Sequence, residues 1–147
     1  MTLPELTLDT NIMLTLWNQE PEAQTISKIL NKFQTTYQYT VSPVVFAELR
    51  AHPNLTRTKL VSRLQVMQVG FEYNYTEAMF DLAGDRYATY AERRRQDGQQ
   101  TPKRMLADFL VGAYSACRSK HLFTLDLNRY KTYFPELTIF NLSNTKV

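Results

Sequence analysis

The chain has 147 residues, 44% hydrophobic and 21% charged with only 4 Gly, and reads as one ordinary globular domain spanning 1–147 that buries about two-thirds of its unfolded surface. A formal charge of +3 and a pI near 9.0 suit a polyanionic partner without requiring one. The single Cys117 excludes an intrachain disulfide and a multi-cysteine zinc site, no stretch approaches the roughly 20 apolar residues of a membrane span, and the N-terminus lacks a signal-peptide pattern, so the cytoplasm is the expected compartment.

Residues 3–9 are apolar up to Asp9 and read as a short buried strand, followed by a helix over Thr10–Trp17. Pro21 suits a helix N1 position, and Ile26, Ile29, Leu30 and Phe33 then recur at helical spacing. Tyr37–Val41 is a second strand, rich in aromatic and β-branched residues. Ser42-Pro43 is a cap followed by an N1 proline, opening a helix through Ala51 that carries Glu48. A further helix is expected over Leu55–Met67 and a short strand over Gly70–Tyr75.

Thr76 caps a long helix running to about Asp97, with Phe80, Ala83, Tyr87 and Tyr90 recurring along it. After the Q-D-G-Q-Q turn, Thr101-Pro102 repeats the cap-plus-proline signal and predicts a helix through Lys120 that carries Asp108. Residues 121–125 form a strand leading into Asp126, then a helical turn holds Tyr130, Tyr133 and Phe134, and Leu137–Leu142 alternates as a last strand. Strands alternating with helices predict a parallel sheet covered on both faces, with ligands gathering beyond the carboxyl ends of the strands.

Four carboxylates lie inside apolar stretches: L-T-L-Asp9, V-V-F-A-Glu48, M-L-A-Asp108 and L-F-T-L-Asp126. An ionised carboxylate costs several kcal/mol to bury unless a counter-charge meets it. Asp9 and Asp126 are equally suited to cap the helices that follow them. Arg104 at i−4 offers Asp108 a surface pair, and His52 at i+4 offers one to Glu48. Taken together, the four point to one shared site and a cation within it. The donors are hard oxygens with no His or Cys cluster, which selects Mg²⁺ or Mn²⁺ and the hydrolysis of phosphodiesters. Gly112, one turn beyond Asp108, admits either a close ligand or close packing. Arg93, Arg94 and Arg95 read as a solvated helix end. No Walker or GxGxxG loop is present, and Ser115 and Cys117 have no His–acid constellation around them.

In that order and spacing, L-D-T-N, V-S-P-V-V-F-A-E-L, R-M-L-A-D-F-L-V-G-A and L-F-T-L-D-L-N-R-Y resemble the four motifs of PIN-domain ribonucleases, of the type that forms the toxin half of VapBC toxin–antitoxin modules. The resemblance covers nearly the whole chain. It implies a three-layer α/β/α domain with a central, mainly parallel sheet, Mg²⁺-dependent endoribonuclease activity, frequent dimerisation and an antitoxin partner. It also implies Asp9, Glu48, Asp108 and Asp126 as the catalytic acids, Asp9, Asp108 and Asp126 as metal ligands, and Asn11 and Thr124 as their support. Two other readings stand beside it: a catalytically silent RNA-binding or regulatory domain, and a phosphatase or receiver-like domain using Asp9 as phosphoryl acceptor.

Overall fold

The computed structural model of the chain describes residues 2–145. Five strands, β1 (Glu5–Leu8), β2 (Gln38–Val41), β3 (Val69–Phe71), β4 (His121–Phe123) and β5 (Thr138–Phe140), form one wholly parallel sheet in the order β3-β2-β1-β4-β5. Seven helices flank it among the described residues and complete a three-layer α/β/α architecture. They are α1 (Thr10–Trp17), α2 (Ala23–Phe33), α3 (Pro43–Arg50), α4 (Arg57–Val66), α5 (Glu77–Gln96), α6 (Leu106–Cys117) and α7 (Leu127–Lys131). Leu6, Thr7 and Leu8 on β1 are all fully buried, as expected of a central parallel strand covered on both faces. No helix is long and apolar enough to cross a membrane among the described residues.

The strand order sets the position of the site. From β1 the chain moves outward through β2 to β3, then returns to place β4 on the other side of β1. The order therefore reverses at the β1/β4 pair, where Thr7 is aligned with Leu122 and Leu8 with Phe123. One residue further, the Asp9 N–H donates to the Phe123 carbonyl at 3.0 Å, and the Thr124 N–H donates to the Phe140 carbonyl at 3.0 Å. Asp9 and Thr124 thus meet side by side at the topological switch point, where open α/β sheets form a crevice.

Most expected elements are present with tighter limits. Helix α2 begins at Ala23, beyond the N1 position expected for Pro21, and β3 ends at Phe71 rather than Tyr75. Helix α4 starts at Arg57 because the Thr56 hydroxyl accepts from the Lys59 N–H. The larger departure is at Thr101-Pro102, which opens no helix. The Thr101 hydroxyl donates to the Asp97 carboxylate, its carbonyl accepts from Arg94, and the Arg104 N–H donates to the Tyr90 hydroxyl. Groups that would have capped a helix are bound to the end of α5, so residues 102–105 run as a strap without regular structure and α6 starts at Leu106.

Gly112 is explained by packing. A Cβ there would lie 2.3 Å from the Phe134 ring, which is itself buried against Phe109. The group that makes this close approach is an aromatic side chain rather than a strand. Gly112→Ala gains up to about 1 kcal/mol in helix propensity but forces a buried ring to move, which typically costs about 1–3 kcal/mol. The expected outcome is a net loss of about 1–2 kcal/mol, read from urea denaturation at an unchanged m-value.

Candidate active site

Asp9 is the N-cap of α1, and its Oδ1 accepts from the Thr10 N–H at 2.8 Å. Its Oδ2 accepts from two hydroxyls, Thr124 at 2.9 Å and Tyr130 at 2.8 Å. The side chain is a cap and also the hub of a buried network, with only 3% of the residue exposed. Burial pushes its carboxyl above the ordinary carboxylate value; the bonds from Tyr130, Thr124 and Thr10 and the charge of Arg129 pull it back without cancelling that effect. Burial likewise pushes the Tyr130 hydroxyl well above its usual value, so it stays a neutral donor.

Asn11 supports the same edge. Its side-chain amide donates to the Thr124 hydroxyl at 3.3 Å and accepts from the Leu125 N–H at 3.2 Å, tying α1 to the segment after β4. The Asp126 N–H donates back to the Thr124 hydroxyl at 3.1 Å. Glu48, on α3, accepts the Thr10 hydroxyl at 2.7 Å. Burial raises its carboxyl, the Thr10 bond lowers it, and the nearby charges of Asp9 and Asp108 raise it further. Glu48 therefore feels the charge of both Asp9 and Asp108. His52 is not the partner of Glu48, because its ring is bonded to Asn18 and to the Pro53 carbonyl.

Asp108 occupies the first turn of α6, where one oxygen accepts from the Met105 N–H at 3.2 Å. Its other oxygen lies 3.7 Å from the guanidinium of Arg129. Arg104 donates instead to the Asn128 carbonyl at 3.3 Å, so the expected i−4 pair does not form. Asp126 caps α7 by accepting the Arg129 N–H at 3.1 Å, and its Oδ2 lies 3.3 Å from Arg129 Nε. Burial disfavours the Arg129 charge, but Asp108, Asp9 and Asp126 around it outweigh that and push its pKa up.

The edge thus divides into a sealed part and an adjustable one. Asp9, Asn11 and Thr124 share one hydrogen-bonded cluster, while Asp108 and Asp126 share a cation in Arg129. Among the described residues, no three His, Cys, Asp or Glu side chains already stand as a closed group able to hold an ion. The chemistry of the donors still fits a hard divalent cation: all are carboxylates, two have raised pKa values, and Arg129 lies among them. Arg129, Tyr130 and Thr10 complete the site without having been predicted. Arg129 stands at i+3 from Asp126, a pairing legible in the sequence, whereas the reach of Tyr130 back to Asp9 depends on the fold.

The sequence matches the PIN domain family over residues 6–135. The chain belongs to the PIN-domain family. This PIN domain is similar in fold to a chain of the VapBC2 complex from Rickettsia felis bound to a promoter DNA fragment, at 18% identity and a TM-score of 0.68, covering 92% of this chain and 97% of that one. It is similar to a chain of DNA-bound VapBC from Salmonella typhimurium at 17% identity and 0.61, and to one of FitAcB from Neisseria gonorrhoeae at 17% and 0.59, each covering 95% of this chain and 99% of the other. No curated protein matches the sequence.

A carboxyl whose pKa is raised by folding holds its proton more tightly in the folded chain than in the unfolded one. The stability this adds is complete below the unfolded pKa and is lost as pH rises through the folded value. In EDTA, Asp9→Asn is therefore expected to melt above the wild-type PIN domain at pH 7. The gap should narrow as pH falls toward the ordinary carboxylate value of about 4. Thermal melts across that range check this, and added Mg²⁺ should raise the Tm of the wild type alone.

Proposed function

We propose that the chain is a Mg²⁺-dependent endoribonuclease of the VapC kind, acting as the toxin of a toxin–antitoxin pair and forming homodimers. The observation that carries this reading is the buried Asp9 at the β1/β4 switch point, close enough to Glu48 and to Arg129 to influence both, with Arg129 also shared by Asp108 and Asp126. PIN family membership over residues 6–135 and the fold shared with chains of VapBC complexes support the toxin assignment and an antitoxin partner.

Asp9, Asp108 and Asp126 would hold Mg²⁺ or Mn²⁺, with Glu48 alongside. Such an ion supplies positive charge against the phosphodiester and makes water a stronger nucleophile at neutral pH. The other tasks fall to the chain's own groups. Thr124, Tyr130 and the Thr10 amide fix Asp9 in one orientation, which removes reorganisation from the reaction. Glu48, raised above the ordinary carboxylate range, is suited to accept a proton from water. Arg129 lies 3.7 Å from Asp108, and its guanidinium would be placed to meet a phosphate oxygen if an ion took over the charge of that carboxylate. Oδ2 of Asp9 already accepts two hydroxyls, whereas Oδ1 accepts only the Thr10 N–H and would keep a lone pair for the ion.

Cleavage of a structured RNA is expected with Mg²⁺ and not with EDTA. Asp9→Asn and Asp108→Asn should each lower the rate by roughly 10²–10⁴-fold while far-UV circular dichroism stays unchanged. Equal cleavage by wild type and Asp9→Asn would remove the acids from the mechanism. A wild type that binds RNA but cleaves none under any divalent ion would instead favour a silent binding domain.

A further inference from the structure

The three consecutive arginines at the end of α5 do different work. Arg93 lies over the Tyr133 ring, 5.3 Å from its centroid, and Arg95 reaches back to Glu92. Arg94 crosses to the carbonyl of Thr101. Gly98 and Gln99, both in the left-handed region at φ 67° and 66°, reverse the chain so that the strap runs back beside α5. Between the two lies a cleft of about 250 Å³, lined chiefly by Tyr87, Tyr90, Arg94, Arg95, Lys103 and Arg104.

Arg94, Lys103 and Arg104 line this cleft together, with Arg95 beside them paired to Glu92. No carboxylate forms an ion pair with Arg94, Lys103 or Arg104 among the described residues. Like charges gathered this way repel, and an anion placed among them relieves the repulsion. The half-buried ring of Tyr87 stacks against Tyr90 with centroids 5.8 Å apart and gives the cleft an aromatic wall. The cleft's lining also touches the segment that carries the acidic edge. Arg104, on its rim, donates to the carbonyl of Asn128, and the next residue is Arg129, which sits between Asp108 and Asp126.

We propose that this cleft binds the phosphodiester backbone of a single-stranded RNA whose scissile bond lies at the acidic edge. The choice of RNA rests on the ribonuclease reading above; the cleft itself stands on its own geometry. Guanidinium groups match phosphate oxygens in two-point bonds, and an aromatic ring beside them offers a stacking surface to a base of any identity. The pairing of cations with a ring fits a repeating phosphate-and-base strand better than an acidic peptide, which would use the charges and leave the ring idle. Lys103 is the residue to test, being exposed and outside the set of acids.

The experiment measures the anisotropy of a fluorescein-labelled single-stranded oligoribonucleotide in EDTA across a KCl series. It compares wild type, Lys103→Glu and Lys59→Glu, the last placing the same charge change at an exposed position on α4. Lys103→Glu is expected to weaken binding by about tenfold or more and to lower the salt slope by about 0.7 for each phosphate no longer neutralised, with Lys59→Glu close to wild type. Arg94→Gln should weaken binding in the same direction. Equal RNA affinity for the two Glu variants overturns the cleft, and continued RNA cleavage would then leave the ribonuclease reading intact. Binding that depends on Lys103 without any cleavage by wild type supports the cleft and sinks the ribonuclease reading. No RNA binding by wild type, or equally tight and Lys103-dependent binding of poly-glutamate, overturns the proposal, the latter in favour of an acidic protein segment.

Discussion

The Asp9 carboxylate accepts hydrogen bonds from the Thr10 amide, the Thr124 hydroxyl and the Tyr130 hydroxyl, so three separate segments converge on a single side chain. Thr10 opens α1, Thr124 follows β4 and Tyr130 lies on α7. A carboxylate that is 3% exposed tolerates its charge only because these donors are in place, and they are in place only because β4 runs beside β1. Register, helix start and site chemistry are therefore one constraint. Moving β4 by one residue would withdraw Thr124 from Asp9 and turn every β4 side chain to the opposite face.

Around that fixed point the remaining charges are less tightly held. Glu48 depends on a single hydroxyl, and Asp108 and Asp126 divide one arginine between them. This arrangement keeps net negative charge at the switch point without closing it, which is the electrostatic condition for attracting a cation. The aromatic group of Tyr87, Tyr90, Phe109, Tyr133 and Phe134 binds α5, α6 and the segment after α7 into a stiff support behind it. Arg86 adds a two-point ion pair to Glu136 at 2.8 and 2.7 Å.

Much of this was legible in the residues themselves. Hydrophobic runs separated by cap signals located all five strands, and Ser42-Pro43 and Thr76 set the starts of α3 and α5 correctly because their hydroxyls do accept from the third residue of each helix. Thr101-Pro102 carries the same local signal and fails, since Asp97, Arg94 and Tyr90 take its polar groups first; a long-range competitor leaves no mark on a local pattern. The four acids stood out through their apolar neighbours. Their expected surface partners, His52 and Arg104, proved to be engaged elsewhere. The i+3 spacing of Arg129 from Asp126 is visible in the sequence, but its contact with Asp108 and the reach of Tyr130 to Asp9 depend on the fold.

The most direct measurement is anomalous diffraction from crystals grown with Mn²⁺. The account predicts an anomalous peak beside the carboxylates of Asp9 and Asp108, with the Arg129 guanidinium withdrawn from Asp108. Mn²⁺ bound only elsewhere, with the Arg129–Asp108 pair intact, would contradict it.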